Sequence, residues 1–287
     1  MESKPLKIAI VGGDNRQLLL HKHLIKSGYN SSHEGFNGAC NYKNIFNSQI
    51  IILPTVATKD GVTLNAPMCN EIIELENLVN GLSLCEHIIC GKLPKIYEQK
   101  IQNKNIKIFK YTDNDIFKNL NAVPTAEGAV AIAISETERT ICGAKCLIIG
   151  NGCIGKSLTK ILKGMGACLT VSARKELDFA LLWSEGTKYV NTNLLNDLEL
   201  RMFDVIFNTV PKRIISNKKM VELSKKQVVI DLASLPYGFD HESRNLYNCK
   251  LLLSSSLPAI YAPETSAIAT ERVIENYLKE VVNSGEN

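Results

Sequence analysis

Histidine is scarce in this chain of 287 residues. There are five, at positions 21, 23, 33, 87 and 241, and only His241 lies in the second half, in the polar segment FDHESRN. None stands in LPAIYAPE, the stretch before the last expected helix. A histidine held by a carboxylate to take an alcohol proton therefore has no support in the sequence. G-x-S-x-G, HExxH, P-loop and EF-hand patterns are absent as well, which removes the usual signatures of serine hydrolases, zinc proteases, P-loop enzymes and calcium sites. The nine cysteines, at 40, 69, 85, 90, 142, 146, 153, 168 and 249, include no C-x-x-C pair and no histidine at ligand spacing. Several sit in apolar runs such as HIIC (87–90) and CLIIG (146–150). They read as reduced thiols acting as small hydrophobes in a cytoplasmic protein, with no metal.

Long apolar runs are missing too. Nothing approaches the ~20 residues of a membrane span, and the N-terminal MESKPLKIAIVGG is too poor in apolar residues for a signal peptide. Charge of either sign is not concentrated: the net charge is +4, and pairs such as Lys218-Lys219 and Lys225-Lys226 suit solvated helix faces. Neither a membrane nor a nucleic acid is an expected partner.

What is present is a repeated alternation of short apolar runs with helix-like stretches. With 45% hydrophobic and 22% charged residues, the composition is that of a globular protein, and the length favours two domains. In the first half the runs are KIAIVGG (7–13), SQIIILPT (48–55), HIICG (87–91) and IKIFKY (106–111). In the second they are KCLIIG (145–150), CLTVSAR (168–174), DVIFNTV (204–210), QVVIDLAS (227–234) and KLLLSSS (250–256). Continuous rather than alternating Val/Ile/Leu runs imply strands buried on both faces, as in parallel sheets. The expected fold class is α/β, with two Rossmann-like domains. The expected boundaries are a first domain over 1–123, a connecting helix over 124–140 (PTAEGAVAIAISETER and the residue after it), a second domain over 141–263, and a C-terminal helix over 264–287 that packs back on the first domain.

GNGCIG, residues 150–155, fits the dinucleotide fingerprint, and it stands between an apolar strand and a helix, the context the motif needs. Gly150 suits the tight turn, Gly152 the close approach of a pyrophosphate, and Gly155 the contact of helix with strand. Asn151, Cys153 and Ile154 complete the turn, whose helix N-terminus favours an anion. After the next strand, NAD sites carry an acid; this chain has Ser172-Ala173-Arg174-Lys175, which suits the 2′-phosphate of NADP over NAD. Arg174 also suits an exposed helix start. The later strand ends, Asn208-Thr209-Val210-Pro211 and Asp231-Leu232-Ala233, are expected to border the same nucleotide, or to be ordinary turn chemistry.

Taken together, VGGDNRQ (11–17), PTAEG (124–128), GNGCIG with SARK, NTVP (208–211), IDLAS (230–234) and LPAIYAPETS (257–266) resemble the family of dipicolinate synthase A subunits, in the same order along nearly the whole chain. The resemblance implies a two-domain arrangement like that of the 2-hydroxy-acid dehydrogenases. It implies oxidation of dihydrodipicolinate, derived from a lysine-pathway intermediate, to dipicolinate in the mother cell of a sporulating bacterium. It also implies a flavoprotein-like partner, the B subunit of dipicolinate synthase, in a heteromeric complex. Formation of an aromatic ring would drive hydride departure, consistent with the missing catalytic histidine. For the small cyclic dicarboxylate, Gly13, Asp14 and Arg16 become candidate contacts, with Asp14 as a helix cap and Arg16 as a surface charge the plainer alternative. Thr125 and Glu127 become candidate catalytic and substrate residues, or else helix caps. Two departures from the family pattern stand out: Ala259 where a glycine is expected and Glu264 where a lysine is expected. An NADP dehydrogenase of another small carboxylate, and a nucleotide-sensing protein without catalysis, are the alternative readings.

Overall fold

The structure is a computed structural model and describes residues 6–36, 38 and 40–284. The chain divides into two compact units. One comprises the residues up to Asn121 together with those from Pro263 onward; the other spans Ala122–Ala262.

In the first unit, strands β1 (Lys7–Val11), β2 (Asn30–Glu34), β3 (Ile50–Ile52), β4 (His87–Cys90) and β5 (Lys107–Lys110) form one sheet in the order β2-β1-β3-β4-β5. Every pairing is parallel. The helices are α1 (Asn15–Lys26), α2 (Tyr42–Phe46), α3 (Leu75–Asn80), α4 (Lys95–Gln102) and the start of α5 (Asp115–Glu136), with α10 (Pro263–Ser284) closing the unit. Successive side chains of a strand point to opposite faces. Thus Ile8, Ile10, Ile50 and Ile52 pack with Leu20 and Leu24 of α1 and Val273, Ile274 and Leu278 of α10. Ala9, Val11 and Ile51 pack on the other face with Leu75, Leu78, Tyr97 and Ile101. The strand order reverses between β1 and β3, so the loops after these two strands border one crevice.

In the second unit, β6 (Lys145–Ile149), β7 (Cys168–Ala173), β8 (Lys188–Asn191), β9 (Val205–Asn208), β10 (Val228–Asp231) and β11 (Lys250–Leu253) form a parallel sheet in the order β11-β10-β9-β6-β7-β8. This is the dinucleotide-binding order, reversing between β6 and β9. Its helices are the remainder of α5, α6 (Cys153–Gly164), α7 (Glu176–Ser184), α8 (Asn217–Val221) and α9 (Leu257–Tyr261). One face of the sheet packs on Ala126, Ala129, Val130 and Ala133 of α5 and on Leu158 and Leu162 of α6. The other packs on Met220, Leu223, Phe239 and Tyr247.

Three elements depart from the sequence reading. The connecting helix expected to start at residue 124 begins earlier, at Asp115, and is one helix, α5, with Pro124 inside it. A proline costs a helix one N–H bond. Here the apolar face that runs through it, with Ala122, Ala126 and Ala129 buried, offsets that loss. Strands β2 (NSSHE) and β8 (KYVN) carry no strand signal; each lies at a sheet edge and lacks the apolar run that marks the inner strands. Among the described residues no helix is long and apolar enough to cross a membrane. No three His, Cys, Asp or Glu side chains among them converge as a metal site.

Candidate nucleotide-binding site

The two glycine turns look alike in sequence and end differently. After β1, Gly12 and Gly13 have φ of 66° and 98°, which only glycine adopts at low cost. The Gly12 N–H donates to the Glu34 carbonyl (2.9 Å) and the Gly13 N–H to the Asn65 carbonyl (2.8 Å). Asp14 is the N-cap of α1 in a full capping box: its Oδ1 accepts from the Arg16 N–H (3.1 Å), and Gln17 Oε1 accepts from the Asp14 N–H (2.9 Å). Arg16 is not a surface charge, since its side chain is only 11% exposed. Its Nε and Nη2 donate to the two carboxylate oxygens of Asp14. This turn is closed by the protein itself. Nearby, the hydroxyl of the fully buried Tyr111 donates to Thr55 Oγ1 (3.0 Å), just past the end of β3.

The turn after β6 is left open. Gly150 has φ of 98°, and a Cβ there would come 2.6 Å from Thr209 Oγ1 and 2.7 Å from Val210 Cγ2, so the ends of β6 and β9 touch at this point. A Cβ on Gly155 would collide with the Gly150 carbonyl, which is why α6 lies so close to the strand. Gly152 is the N-cap of α6, with no side chain accepting from the first helical turn and open space where a Cβ would be. Cys153 and Ile154, the first residues of α6, are half-buried. Asn151 is fixed from behind, its Nδ2 donating to Asp178 Oδ1 on α7 (3.1 Å). An uncapped first turn of a twelve-residue helix is an anion-binding surface.

Several expected contacts turn out to be supports behind this surface. Ser172 is fully buried: its Oγ accepts from the Gly150 N–H (3.2 Å) and from Thr192 Oγ1 (3.2 Å), so it holds the turn and is not open to a ligand. Ala173, Leu232 and Ala233 are buried as well. Arg174 and Lys175 are exposed at the end of β7, and neither enters an ion pair among the described residues. Lys175 is also the N-cap of α7, where the helix dipole disfavours a cation. Thr209 is half-buried and donates from Oγ1 to the Ile149 carbonyl (2.9 Å); Val210 is half-buried and Pro211 exposed.

Asp231, at the end of β10, has no exposed surface. Its Oδ1 accepts from Asn208 Nδ2 (2.8 Å) and the Ala233 N–H (3.2 Å). Its Oδ2 accepts from the Gly238 N–H (2.9 Å), the Phe239 N–H (3.2 Å) and His241 Nε2 (2.9 Å). No sequence signal marks the carboxylate partner of His241, because ten residues of chain separate the two. Gly238 is a second feature that only the fold explains: a Cβ there would collide with the Asn208 amide.

Thr125 and Glu127 lie inside α5, so neither caps a helix; Thr125 is half-buried and Glu127 exposed. Gly128 of the same motif has a packing reason, since a Cβ would press on Tyr261 Cδ2 (2.9 Å) and Leu257 Cβ (3.0 Å) of α9. Glu264, near the start of α10, places Oε1 3.0 Å from His23 Nε2 on α1, and Ala259 is half-buried in α9. All nine cysteines are free. Burial pushes the thiols of Cys85, Cys90 and Cys146 up to about 12, which keeps them protonated.

Residues 7–112 match the model of the N-terminal domain of the dipicolinate synthase A subunit. The A subunit of dipicolinate synthase from Bacillus subtilis is 30% identical over 291 residues, which cover 96% of this chain and 97% of that one. The chain belongs to the family of dipicolinate synthase A subunits. Residues 131–252 also match the model of the shikimate / quinate 5-dehydrogenase family. The crystal structure of the Bacillus subtilis A subunit superposes with a TM-score of 0.87 at 27% identity, covering 98% of each chain. That of the A subunit from Bacillus halodurans gives 0.85 at 27% identity, over 95% of this chain and 97% of that one. The two-unit fold is shared more widely: D-lactate dehydrogenase from Escherichia coli superposes with a TM-score of 0.59 at 13% identity, over 97% and 98% of the chains. The second unit of this family member is thus of the dehydrogenase type, and its glycine turn stands where such folds bind a dinucleotide.

Proposed function

We propose that this chain is the nucleotide-binding component of a dipicolinate synthase, an oxidoreductase that removes a hydride from dihydrodipicolinate to give dipicolinate during sporulation, and that it works with a second, flavoprotein-like subunit. The observation that carries the reading is the open first turn of α6 behind Gly150–Gly155, in a chain whose family membership extends over 96% of its length. Gly150, Asn151, Gly152, Cys153, Ile154 and Gly155 would hold the pyrophosphate of a nicotinamide nucleotide, and Thr209 and Val210 would border it. Arg174 and Lys175 favour NADP: two unneutralised cations at the start of α7 suit a 2′-phosphate. The nucleotide supplies a two-electron hydride acceptor; the chain supplies binding and orientation.

For the dicarboxylate, Arg16 is the first candidate of the five. Its Nε and Nη2 serve Asp14, while Nη1 has no acceptor among the described residues and is a charged donor for a carboxylate. Gly13 and Asp14 hold it in place. Thr125 and Glu127 are further substrate contacts in this reading, with Glu127 orienting the ring nitrogen. The test generates the cyclic lysine-pathway intermediate with its synthase, adds this chain with NADP and then with NAD, and follows 340 nm absorbance together with dipicolinate. Both signals rising with NADP support the assignment. If neither rises, with or without the partner subunit, another carboxylate or a nucleotide-sensing role replaces it.

A further inference from the structure

The sequence pattern offers no histidine for acid–base work, yet the fold builds one. In the dinucleotide-binding order the turn after the first strand takes the pyrophosphate, and the end of the second strand takes the adenosine ribose. The nicotinamide half must then lie toward the ends of the fourth and fifth strands, which here are β9 and β10. Those ends carry Asn208 and Asp231, bonded to each other at 2.8 Å. Asp231 is buried and receives four N–H donors besides the imidazole. An acceptor so surrounded orients His241 with a proton on Nε2, directed to Oδ2 at 2.9 Å. The lone pair then sits on Nδ1, which has no hydrogen-bond partner among the described residues and is not fully buried. The side chain is 16% exposed, with the ring of Tyr237 edge-on at 5.5 Å. Asp240, the residue before His241, pairs with Arg213 at 3.6 Å, and Glu242 follows the histidine in the loop.

A buried carboxylate behind an imidazole whose other nitrogen is open is the arrangement of a general base. It stands here at the carboxyl end of the inner strand β10, where the nicotinamide half is expected. We propose that His241, held by Asp231, accepts the proton released when the ring is oxidised. The assignment rests on the reading of the substrate as a dihydropyridine dicarboxylate. One ring C–H bond breaks, and its electron pair leaves with the hydrogen as hydride to an oxidised nicotinamide. The neighbouring ring C–H gives its proton to Nδ1, and that bond's electron pair completes the aromatic ring. The resulting imidazolium is balanced by the Asp231 carboxylate.

The test uses the full chain, with the partner subunit if turnover needs it. His241→Gln keeps an N–H donor for Asp231 and removes the base. The expected result is an unchanged thermal midpoint and nucleotide Kd, with kcat lower by about 100-fold or more and the acid limb of the kcat/KM profile lost. Glu127→Gln is the competing variant: loss of the limb there, and not in His241→Gln, overturns the proposal. Unchanged kcat in His241→Gln overturns it as well. An independent readout is the NMR titration of the His241 ring without nucleotide, with NADP and with NADPH. A lower midpoint with NADP, whose oxidised nicotinamide ring is cationic, than with NADPH is expected, and identical midpoints overturn the placement. If the wild type turns over no dihydrodipicolinate, the substrate reading has failed by itself and the titration alone decides the place of His241.

Discussion

Arg16 and Asp14, two residues apart, are joined twice: Nε donates to Oδ1 at 2.9 Å and Nη2 to Oδ2 at 2.8 Å. The pair closes the first glycine turn and caps α1. Burial pushes the Asp14 carboxyl up, but the hydrogen bonds and charge of Arg16 outweigh it and hold the group below its ordinary 3.8. Its stabilisation is therefore complete above pH 3.8 and is lost as pH falls through the lower folded value. Asp14→Ala removes the cap and strands the guanidinium, and should lower stability at pH 7 by about 2 kcal/mol. Urea unfolding of both proteins at pH 7 and pH 3 measures it; the difference between them should shrink at the lower pH.

Gly152 and Gly155 should fail in different ways. A methyl on Gly152 enters open space, so Gly152→Ala should fold normally and lose nucleotide affinity only. A methyl on Gly155 meets the backbone of Gly150, so Gly155→Ala should cost about 1–3 kcal/mol of stability and affinity as well. Thermal melts with calorimetric titration of NADPH separate the two; equal melting losses would remove the distinction.

Arg174→Asp should weaken NADPH binding by well over tenfold and leave NADH binding unchanged or stronger, because a carboxylate repels a 2′-phosphate and accepts from a 2′-hydroxyl. Titration calorimetry with both nucleotides reads this directly. Equal losses for both would assign Arg174 to the protein surface.

His21 carries a pH signature of its own. Burial, aided by the neighbouring His33, lowers its pKa from 6.5 to about 4, and Nδ1 lies 3.0 Å from Ser31 Oγ. The unfolded chain takes up this proton first. The neutral imidazole therefore supports the fold fully above pH 6.5, and stability falls between 6.5 and about 4. His21→Gln should flatten that part of the stability profile, measured by urea unfolding at half-unit steps between pH 7 and pH 4.5.

The inner strands are legible because III, VIFN and VVID are buried on both faces, and a continuous apolar run is the direct trace of that burial. NSSHE and KYVN lie at sheet edges, and their pairing comes from a neighbour's backbone, which leaves no mark on side-chain chemistry. Pro124 misleads because a local rule competes there with packing along the whole of α5, and packing decides. The open glycine turn is readable, since a backbone that must approach a ligand needs glycine at fixed spacing. The Asp231–His241 pair is not, because it depends on a loop folding back over a carboxylate. Ser172 reads as a ligand contact because spacing gives its place on the strand and not the face it turns to.

The helix α10 follows the second unit in the chain but belongs to the first, where Val273, Ile274 and Leu278 complete the apolar layer over Ile8, Ile10, Ile50 and Ile52. During synthesis, then, the second unit has all its residues while the first still lacks a wall of its core. The half made earliest is finished last. Its nascent sheet keeps an apolar face covered only in part, by α1, until α10 leaves the ribosome, so a chain cut short near residue 262 loses its first unit and keeps the elements of its second.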